Sequence, residues 1–271
     1  MPELPEVETT VRGLARFLAG ERIVAARTNR PDMRRPFPAD LVQGLTGATV
    51  TSLSRRAKYG LVHTDRDRTM VFHLGMSGRW RIDPETEDKH DHLVIETASH
   101  RFALCDPRRF GWVDLVDTAA LSAWPGFAAM GPEPLGPDLT VRHLATALAG
   151  RKQAIKLCLL DQRIVAGLGN IYVCEALFRA GIDPSKAAGR VSRAALARLV
   201  PAIQAVIAEA IAAGGSTLRD YIQPDGELGY FSKQFDVYDR EGLACVHGDG
   251  GTITRIAQGG RSTWFCPRCQ R

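Results

Sequence analysis

A proline- and glycine-rich stretch divides this chain into two parts with different hydrophobic periodicity. Residues 131–137 read GPEPLGP, a composition that suits neither a helix interior nor a central strand. Before it, from about residue 22 to residue 117, short β-rich runs alternate with turn-forming residues. After it, as far as about residue 215, apolar residues recur with helical spacing. The pattern predicts a β-rich domain followed by a helical one.

The periodicity also predicts individual elements. Residues 5–18 carry Val7, Val11 and Leu14 on one helical face, and the dipeptide Gly214-Gly215 ends the last helical stretch. The predicted helices are 5–18, about 152–163, 171–180 and an apolar stripe over 199–211. The predicted strands are Thr49–Leu53, Gly60–His63, Met70–Leu74, Trp80–Ile82, Leu93–Glu96, Phe102–Cys105 and Trp112–Val116. Short strands at this spacing predict a sandwich or barrel.

Composition narrows the class of protein. With 45% hydrophobic and 24% charged residues over 271 positions, the chain is typical of a folded, soluble protein of two modest domains. A net charge of +5 and a pI near 9.0 favour a polyanionic partner without requiring one. Neither a secretory leader nor an uninterrupted membrane-spanning run is apparent, so we expect a cytoplasmic protein.

The N-terminus offers a candidate nucleophile. Met1 is normally removed before a small residue, which would make Pro2 the terminal residue, with the Glu3 carboxylate directly beside it. A secondary amine condenses with a sugar aldehyde to give an iminium that always carries charge, and this cation favours β-elimination. In isolation, Met-Pro-Glu is more often an ordinary processed terminus.

Several turns carry groups suited to nucleic acid. Lys58 follows two arginines at a strand edge, where cations can bind a backbone phosphate. Met76 lies between two glycines, and in the segment 106–111 a proline-led turn places Arg108 close to Phe110. Such side chains suit insertion into a base stack, although each alone also fits a core methionine or a surface turn. Asn170, in a glycine-bracketed turn entering a helix, suits phosphate binding.

The C-terminal tail has the spacing of a metal finger. Cys266 and Cys269 are two residues apart, and Cys245 lies about twenty residues earlier, a pattern that favours a tetrahedral structural zinc site. Spacing does not fix the fourth ligand. His247 is the better chemical match, Asp249 is the alternative, and a site without metal also fits. The other cysteines, Cys105, Cys158 and Cys174, are predicted to be buried thiols.

Taken in order, these motifs resemble the bacterial formamidopyrimidine-DNA glycosylase family over essentially the whole chain. The resemblance implies an α+β multidomain fold: an N-terminal β-sandwich flanked by helices, a helical domain with a helix–two-turn–helix motif, and a terminal β-hairpin zinc finger. It places the catalytic domain at 1–130, a linker at 131–140, the DNA-binding domain at 141–234 and the finger at 235–271. A family finger usually supplies four cysteines, and this one offers three.

The resemblance also implies roles for residues and a partner. The expected substrate is double-stranded DNA containing oxidised bases, bound by a monomer that carries one zinc ion and associates with the bacterial nucleoid through DNA. Pro2 would attack C1′, Glu3 would protonate the deoxyribose ring oxygen, and loop 217–230 would close over the everted purine. The resemblance also implies that Lys58 and Arg261 belong to the catalytic residues. Together with His73 and Asn170, they would contact phosphates. The further expected DNA-binding residues are Glu6, Met76, His90, Arg108, Phe110 and Lys156.

Three other functions compete with this interpretation. An endonuclease VIII-like enzyme of the same fold would prefer oxidised pyrimidines, and a non-catalytic damage-binding protein would keep the scaffold without turnover. Intact Pro2, Glu3 and Lys58 disfavour the second of these. A zinc-dependent hydrolase is disfavoured because no His/Glu cluster in the sequence provides an open catalytic metal position.

Overall fold

A computed structural model describes residues 2–216 and 230–271. Backbone contacts divide the chain into two compact units, one formed by Met1–Ala128 with Ala213–Tyr230 and the other by Ala129–Ala212 with Phe231–Arg271. The predicted α+β class is confirmed, with strands concentrated in the first unit and helices in the second. The predicted domain boundaries remain a prediction, but the contacts group the described residues 213–216 with the N-terminal unit.

The N-terminal unit contains two four-stranded antiparallel sheets, ordered β1-β6-β7-β5 and β2-β3-β4-β8. Its helices are α1 Leu4–Leu18 and α2 Leu41–Leu45, with a 3-10 helix at Thr118–Ala123. The strands are β1 Ala25–Thr28, β2 Val50–Arg56, β3 Tyr59–Thr64, β4 Arg68–His73, β5 Arg79–Ile82, β6 Asp91–Glu96, β7 Arg101–Cys105 and β8 Trp112–Asp117. Every predicted strand has a counterpart, and β1 is an addition.

One hydrophobic core joins both sheets to α1 and α2. Val7 and Leu14 of α1, which the helical spacing placed on one face, are both 1% exposed within this core. Phe72 of β4 and Trp80 of β5 come from different sheets, and their rings meet edge to face with centroids 5.6 Å apart. Burial of large apolar side chains from both sheets is the main stabilising term for this unit.

The second unit is built on four helices, α3 Val141–Leu148, α4 Ile155–Leu159, α5 Asn170–Ala180 and α6 Arg193–Ala212, with 3-10 helices at Ala188–Arg190 and Phe231–Gln234. Helix α4 is much shorter than the predicted 152–163, because the chain reaches it from a bridge between Ala154 and Ala187 and turns again after Leu160. By length and a mean hydropathy of 1.6, α6 could span a membrane. Its apolar face, with Leu199, Ile203 and Ile207 at 0% exposure, instead lies in the core.

The finger contains an antiparallel hairpin of β9 Thr254–Gln258 and β10 Arg261–Phe265. Its buried residues share a hydrophobic cluster with α5, to which Cys174 and Phe178 contribute from the helix and Trp264 and Cys266 from the finger. The finger therefore does not rely on a core of its own. Cys105, Cys158 and Cys174 are buried free thiols, as predicted.

Candidate active site and DNA-binding surfaces

The first turn of α1 fixes the predicted acid next to the predicted nucleophile. Glu3 is the N-cap of α1 and is only 1% exposed. A capping box joins it to Glu6, whose Oε2 accepts a 2.8 Å hydrogen bond from the Glu3 backbone N–H. The carboxylate of Glu3 thus lies at the positive end of the helix dipole, immediately after the buried Pro2.

Glu6 also holds a distant part of the chain. Its Oε1 accepts a 2.7 Å hydrogen bond from the backbone N–H of Ser216. Gly215 has a φ of +83°, and a Cβ at this position would lie 3.1 Å from the same oxygen. Glycine is therefore suited to this turn both by its conformation and by the close approach of the carboxylate. The segment predicted to close over the base, 217–230, lies outside the described residues except for Tyr230.

Lys58 lies in the tight turn between β2 and β3 and is half-buried. The preceding residue, Ala57, has a φ of 52°, an uncommon conformation for a residue other than glycine. Arg55 stabilises this turn, because it donates to the Ala57 carbonyl at 2.9 Å and forms an ion pair with Glu8 of α1 at 2.9 Å. Lys58 therefore lies in the N-terminal unit, on a hairpin that the Arg55–Glu8 ion pair joins to α1.

His73 ends β4 as a neutral imidazole. Its Nδ1 accepts a 3.0 Å hydrogen bond from the Gly75 backbone N–H, which leaves the ring proton on Nε2. The ring stacks on Trp112 with an interplanar angle of 12°. Burial, assisted by the positive charges of Lys58, Arg34 and Arg35, lowers the pKa of His73 from 6.5 to about 4. His73 can therefore donate one hydrogen bond to an anion without carrying charge.

The lowered pKa of His73 predicts a specific pH dependence of stability. Unfolding returns His73 to its ordinary pKa of 6.5, so the unfolded state binds the proton more readily between pH 6.5 and about 4. The stabilisation is complete above pH 6.5 and is lost as the pH falls towards 4. Urea unfolding at pH 7.5 and pH 5.0 should show a larger loss of unfolding free energy for the wild type than for His73→Gln. Equal losses would contradict this assignment.

Two neighbouring loops carry the residues predicted to enter the base stack. Met76 is half-buried after β4, while Arg108 and Phe110 are exposed between β7 and β8. The Arg108 guanidinium lies over the Phe110 ring, 4.8 Å from its centroid. The structure therefore brings all three predicted side chains into one unit and leaves the guanidinium and the ring open to solvent.

Sequence reasoning missed a further basic residue beside these loops. A cavity of about 580 Å³ is lined by Met33 and Arg34 together with Arg108, Arg109 and Phe110. The Arg34 backbone N–H donates to the Gly111 carbonyl at 3.2 Å, which fixes this segment against the second loop. The local sequence signal for Arg34 was the arginine-rich run 30–35. Nothing in that run indicated that Arg34 would lie against the loop that carries Arg108 and Phe110.

His90 is half-buried in the turn that leads into β6. Its backbone N–H donates to Asp88 Oδ1 at 2.8 Å, and its carbonyl accepts from the Asp106 N–H at 3.0 Å. The ring packs edge to face on His92, with centroids 6.3 Å apart. His90 therefore belongs to the same part of the N-terminal unit as the loop carrying Arg108 and Phe110.

The prediction that Lys156 contacts DNA is corrected by the structure. Lys156 is 0% exposed, and its Nζ donates to the Ser262 carbonyl at 2.9 Å and to Thr263 Oγ1 at 2.6 Å. Asn170 Nδ2 donates to the same Ser262 carbonyl at 2.9 Å. Lys156 thus acts inside the second unit, where it holds the hairpin strand that begins at Arg261 next to the N-terminus of α5. Arg261 itself is exposed.

Four residues of the finger form a compact ligand group: Cys245, Asp249, Cys266 and Cys269, with donor atoms within 4.8 Å of one another. The Sγ atoms of Cys245 and Cys269 are 3.9 Å apart, and Cys266 Sγ is 3.7 Å from Asp249 Oδ2. Tetrahedral zinc with Zn–S bonds of about 2.3 Å sets its sulfur ligands about 3.8 Å apart. The residues therefore fit one structural zinc ion, as predicted.

The structure corrects the preferred fourth ligand from His247 to Asp249. His247 is exposed, and its ring stacks on Phe178 with centroids 4.6 Å apart and an interplanar angle of 15°. Gly248, with a φ of 65°, forms the turn after Cys245, and Asp249 accepts the Gly251 N–H at 2.7 Å. This turn directs the carboxylate, and not the imidazole, towards the three thiols.

Comparison with known proteins agrees with this geometry. Residues 1–113 match the formamidopyrimidine-DNA glycosylase N-terminal domain, residues 130–221 match the H2TH domain of the same enzymes, and residues 250–271 match a zinc finger found in FPG and IleRS. A formamidopyrimidine-DNA glycosylase of Erythrobacter litoralis is 75% identical over the full length of both chains. That of Zymomonas mobilis is 50% identical, again over both full lengths.

The chain belongs to the formamidopyrimidine-DNA glycosylase family. Solved structures agree: Lactococcus lactis Fpg in complex with DNA containing an abasic site has a TM-score of 0.92 at 34% identity, covering 99% of each chain. MutM (Fpg) from Thermus thermophilus has a TM-score of 0.90 at 36% identity, covering 99% of this chain and 98% of that one. The fold class predicted from the resemblance is therefore confirmed.

Within this member of the family, the predicted site residues fall into two groups. The N-terminal unit holds Pro2, Glu3, Glu6, Lys58, His73, Met76, His90, Arg108 and Phe110, and the second unit holds Lys156, Asn170, Arg261 and the zinc ligands. The predicted catalytic terminus and the loops that carry Met76, Arg108 and Phe110 thus lie in the same unit. The other residues predicted to contact phosphates, Asn170 and Arg261, lie in the second unit.

Proposed function

We propose that this chain excises oxidised purines, such as 8-oxoguanine and formamidopyrimidines, from duplex DNA and then cleaves the strand at the resulting abasic site. The capping box at the start of α1 carries this proposal, because it fixes the buried Glu3 carboxyl at the helix N-terminus, one residue after Pro2. An acid next to a terminal secondary amine is the pair that imine-forming strand cleavage requires.

The first step uses the Pro2 nitrogen, which removal of Met1 exposes. Its lone pair attacks C1′ of the damaged nucleotide, and the N-glycosidic bond breaks as the base leaves with a proton. Glu3 protonates the deoxyribose ring oxygen, the ring opens, and nitrogen and C1′ form a positively charged iminium. Pro2 and Glu3 are both buried in the chain that still carries Met1, and removal of Met1 frees the Pro2 nitrogen for this attack.

Strand cleavage follows from the charge on the iminium. The cation acidifies the C2′ proton, and loss of that proton expels the 3′ phosphate by β-elimination. A second, δ-elimination expels the 5′ phosphate, and water releases the sugar remnant from Pro2. The product is a gap of one nucleoside with phosphate at both ends.

The remaining residues bind and distort the duplex. Lys58, His73, Asn170 and Arg261 are proposed to contact phosphates near the lesion. Met76 and Phe110 fill and wedge the stack, and Arg108 faces the cytosine left by the everted base. Glu6 supports the site through its bonds to Glu3 and Ser216, and His90 adds a contact from the β5–β6 turn.

The lesion class is proposed from the insertion residues. Met76, Arg108 and Phe110 together favour the purine enzyme over an endonuclease VIII-like one, as does the opening ELPE sequence after Pro2. An enzyme acting on duplex DNA works in a DNA-containing compartment, and we propose that this is the bacterial cytoplasm, with association to the nucleoid through DNA. We propose further that it acts as a monomer.

Borohydride trapping tests this function directly. A labelled duplex with 8-oxoguanine opposite cytosine should form a covalent adduct with the protein when the imine is reduced, and peptide mapping should locate the adduct at Pro2. A parallel duplex with an oxidised pyrimidine serves as the substrate control. Trapping with the pyrimidine duplex alone would favour the endonuclease VIII-like alternative, and tight binding without trapping would favour a non-catalytic damage-binding protein.

A further inference from the structure

We propose that Asp106 is a positioning residue that locks the loop carrying Met76 to the loop carrying Arg108 and Phe110, so that the three side chains enter DNA as one unit. This inference rests on the proposed function. The two loops, called here the insertion loops, comprise residues 74–78 and 106–111. Asp106 does not reach the surface, being 0% exposed, so its role is exerted through the residues it holds.

The Asp106 carboxylate bonds to both insertion loops. Its Oδ1 accepts a 2.6 Å hydrogen bond from the Oγ of Ser77, the residue that follows Met76. Its Oδ2 accepts the Gly111 backbone N–H at 2.7 Å, which closes the loop that presents Arg108 and Phe110. The Arg108 N–H lies 3.3 Å from both Asp106 Oδ1 and Ser77 Oγ. One buried side chain therefore fixes the backbone on either side of the insertion residues.

The loops also touch directly through two glycines. A Cβ on Gly75 would overlap the carbonyl carbon of Phe110, and a Cβ on Gly111 would lie 2.7 Å from the His73 carbonyl oxygen. Contacts this close prevent one loop from shifting without the other. Asp106 lies at this junction, 3.1 Å from the Cβ position of Gly111.

Backbone strain in the second loop needs such a support. Arg109 has a φ of 56°, a conformation that costs a residue other than glycine conformational energy and persists only where neighbours enforce it. The Arg109 N–H donates to the Asp106 carbonyl at 3.2 Å, and the Gly111 bond closes the turn on its other side. The strained residue lies between Arg108 and Phe110, so its conformation sets the direction of both.

Asp106 is itself anchored to the sheet behind the loops. Its N–H donates to the His90 carbonyl at 3.0 Å, and its own carbonyl accepts a 2.9 Å hydrogen bond from His92 Nε2. His92 is 2% exposed within β6. The insertion loops are thus anchored to a buried strand of the N-terminal unit. The same unit carries Pro2 and Glu3.

The chemistry of these contacts requires a carboxylate. Ser77 Oγ and the two backbone N–H groups are used as donors, and a carboxylate offers acceptor lone pairs on both oxygens. In Asp106→Asn the volume is unchanged, but one oxygen becomes an NH₂ group, which cannot accept a backbone N–H. If the NH₂ group replaces Oδ2, the bond from the Gly111 N–H is lost; if it replaces Oδ1, the Ser77 bond is reversed and the Arg108 N–H loses its carboxylate acceptor. In either orientation the variant loses a backbone bond to the loop of Arg108 and Phe110 while it keeps the shape of the core.

The experiment compares Asp106→Asn and Ser77→Ala with wild type, using Asp114→Asn as the matched control. Asp114 is a half-buried carboxylate of the neighbouring strand β8 that bonds to Arg35 and Trp124 and not to the insertion loops. The probe is an uncleavable duplex with a tetrahydrofuran abasic analogue and 2-aminopurine at the adjacent base. Insertion unstacks the 2-aminopurine and raises its fluorescence.

We expect Asp106→Asn and Ser77→Ala to lose about half or more of this fluorescence rise at saturating protein, while Asp114→Asn matches the wild type. The opposite-base preference is the ratio of the excision rate with cytosine opposite the lesion to the rate with adenine opposite it. In Asp106→Asn this ratio should become about tenfold closer to one, an effect of the size expected when contact groups are misplaced. The maximal rate at a preformed abasic site should change less than this preference, which a general loss of structure would not produce.

The outcomes separate this inference from the proposed function. Thermal unfolding checks that each variant is folded, and Ser77→Ala remains decisive if Asp106→Asn is not. Wild-type fluorescence in folded Asp106→Asn and Ser77→Ala would overturn the positioning role, as would the absence of any rise with the wild type. The fluorescence experiment needs no chemistry, so a wild type that inserts but gives no borohydride adduct would refute the proposed function alone.

Discussion

Glu3→Gln will slow excision and ring opening by about 10²- to 10⁴-fold, the range over which a positioned general acid contributes. Glutamine keeps the length of the side chain and can still accept the hydrogen bond of the capping box, so α1 should begin at the same residue. It cannot deliver a proton to the deoxyribose ring oxygen. The measurement is a single-turnover rate on the 8-oxoguanine duplex with protein in excess.

The loss caused by Glu3→Gln should be confined to chemistry. Affinity for the uncleavable tetrahydrofuran duplex should stay within about threefold of the wild type, because phosphate contacts dominate binding. Glu21→Gln, a half-buried glutamate just beyond α1, makes the same chemical change away from the site and should leave both quantities unaltered. A Glu3→Gln enzyme of wild-type rate would remove Glu3 from the mechanism.

Asp249→Ala will lose the zinc ion, whereas His247→Ala will retain it. With Asp249 replaced, three thiols remain and the fourth tetrahedral position has no protein ligand. His247 lies on Phe178, so its removal leaves the ligand group intact. Metal content of the purified proteins, measured by mass spectrometry, should be about one zinc per chain for wild type and His247→Ala and well below one for Asp249→Ala.

A rescue variant and DNA affinity sharpen the zinc prediction. Asp249→Cys supplies a fourth thiolate and should restore full zinc content. Loss of zinc should weaken affinity for the uncleavable duplex by about tenfold or more, because the finger carries Arg261 and metal binding supplies its folding energy. The single-turnover rate at saturating protein should fall less. Zinc loss in His247→Ala with full occupancy in Asp249→Ala would reverse the ligand assignment.

The strands of the N-terminal unit were predictable where short apolar runs alternate with turn-forming residues. The strand that was not predicted, β1, shows the limit of this signal. β1, with the sequence Ala-Ala-Arg-Thr, lacks alternating large apolar residues, and all four of its residues are half-buried. It is an edge strand that forms only through pairing with β6. Its existence depends on a partner strand 65 to 71 residues away, which local periodicity cannot report.

The placement of Pro2 with Glu3, and of Arg108 with Phe110, was predictable because these residues are close together in the sequence. Pro2 and Glu3 are adjacent, and the short segment 106–111 contains Arg108 and Phe110 together. Lys156 and His247 were misplaced for the opposite reason. Burial of Lys156 against Thr263 depends on a contact between residues 107 positions apart, and the direction of His247 depends on a glycine turn and on Phe178 of α5.

The bonds from Lys156 and Asn170 to a single carbonyl, that of Ser262, have a consequence for truncation experiments. Deleting the finger would remove two acceptors of a fully buried ammonium and would uncover Cys174 and Phe178 on α5. A protein without the finger would therefore lose activity because its helical unit is destabilised, whatever the finger contributes to DNA binding. The finger covers part of the hydrophobic core of that unit. Its function can therefore be examined only by substitutions that leave these packing contacts and hydrogen bonds intact.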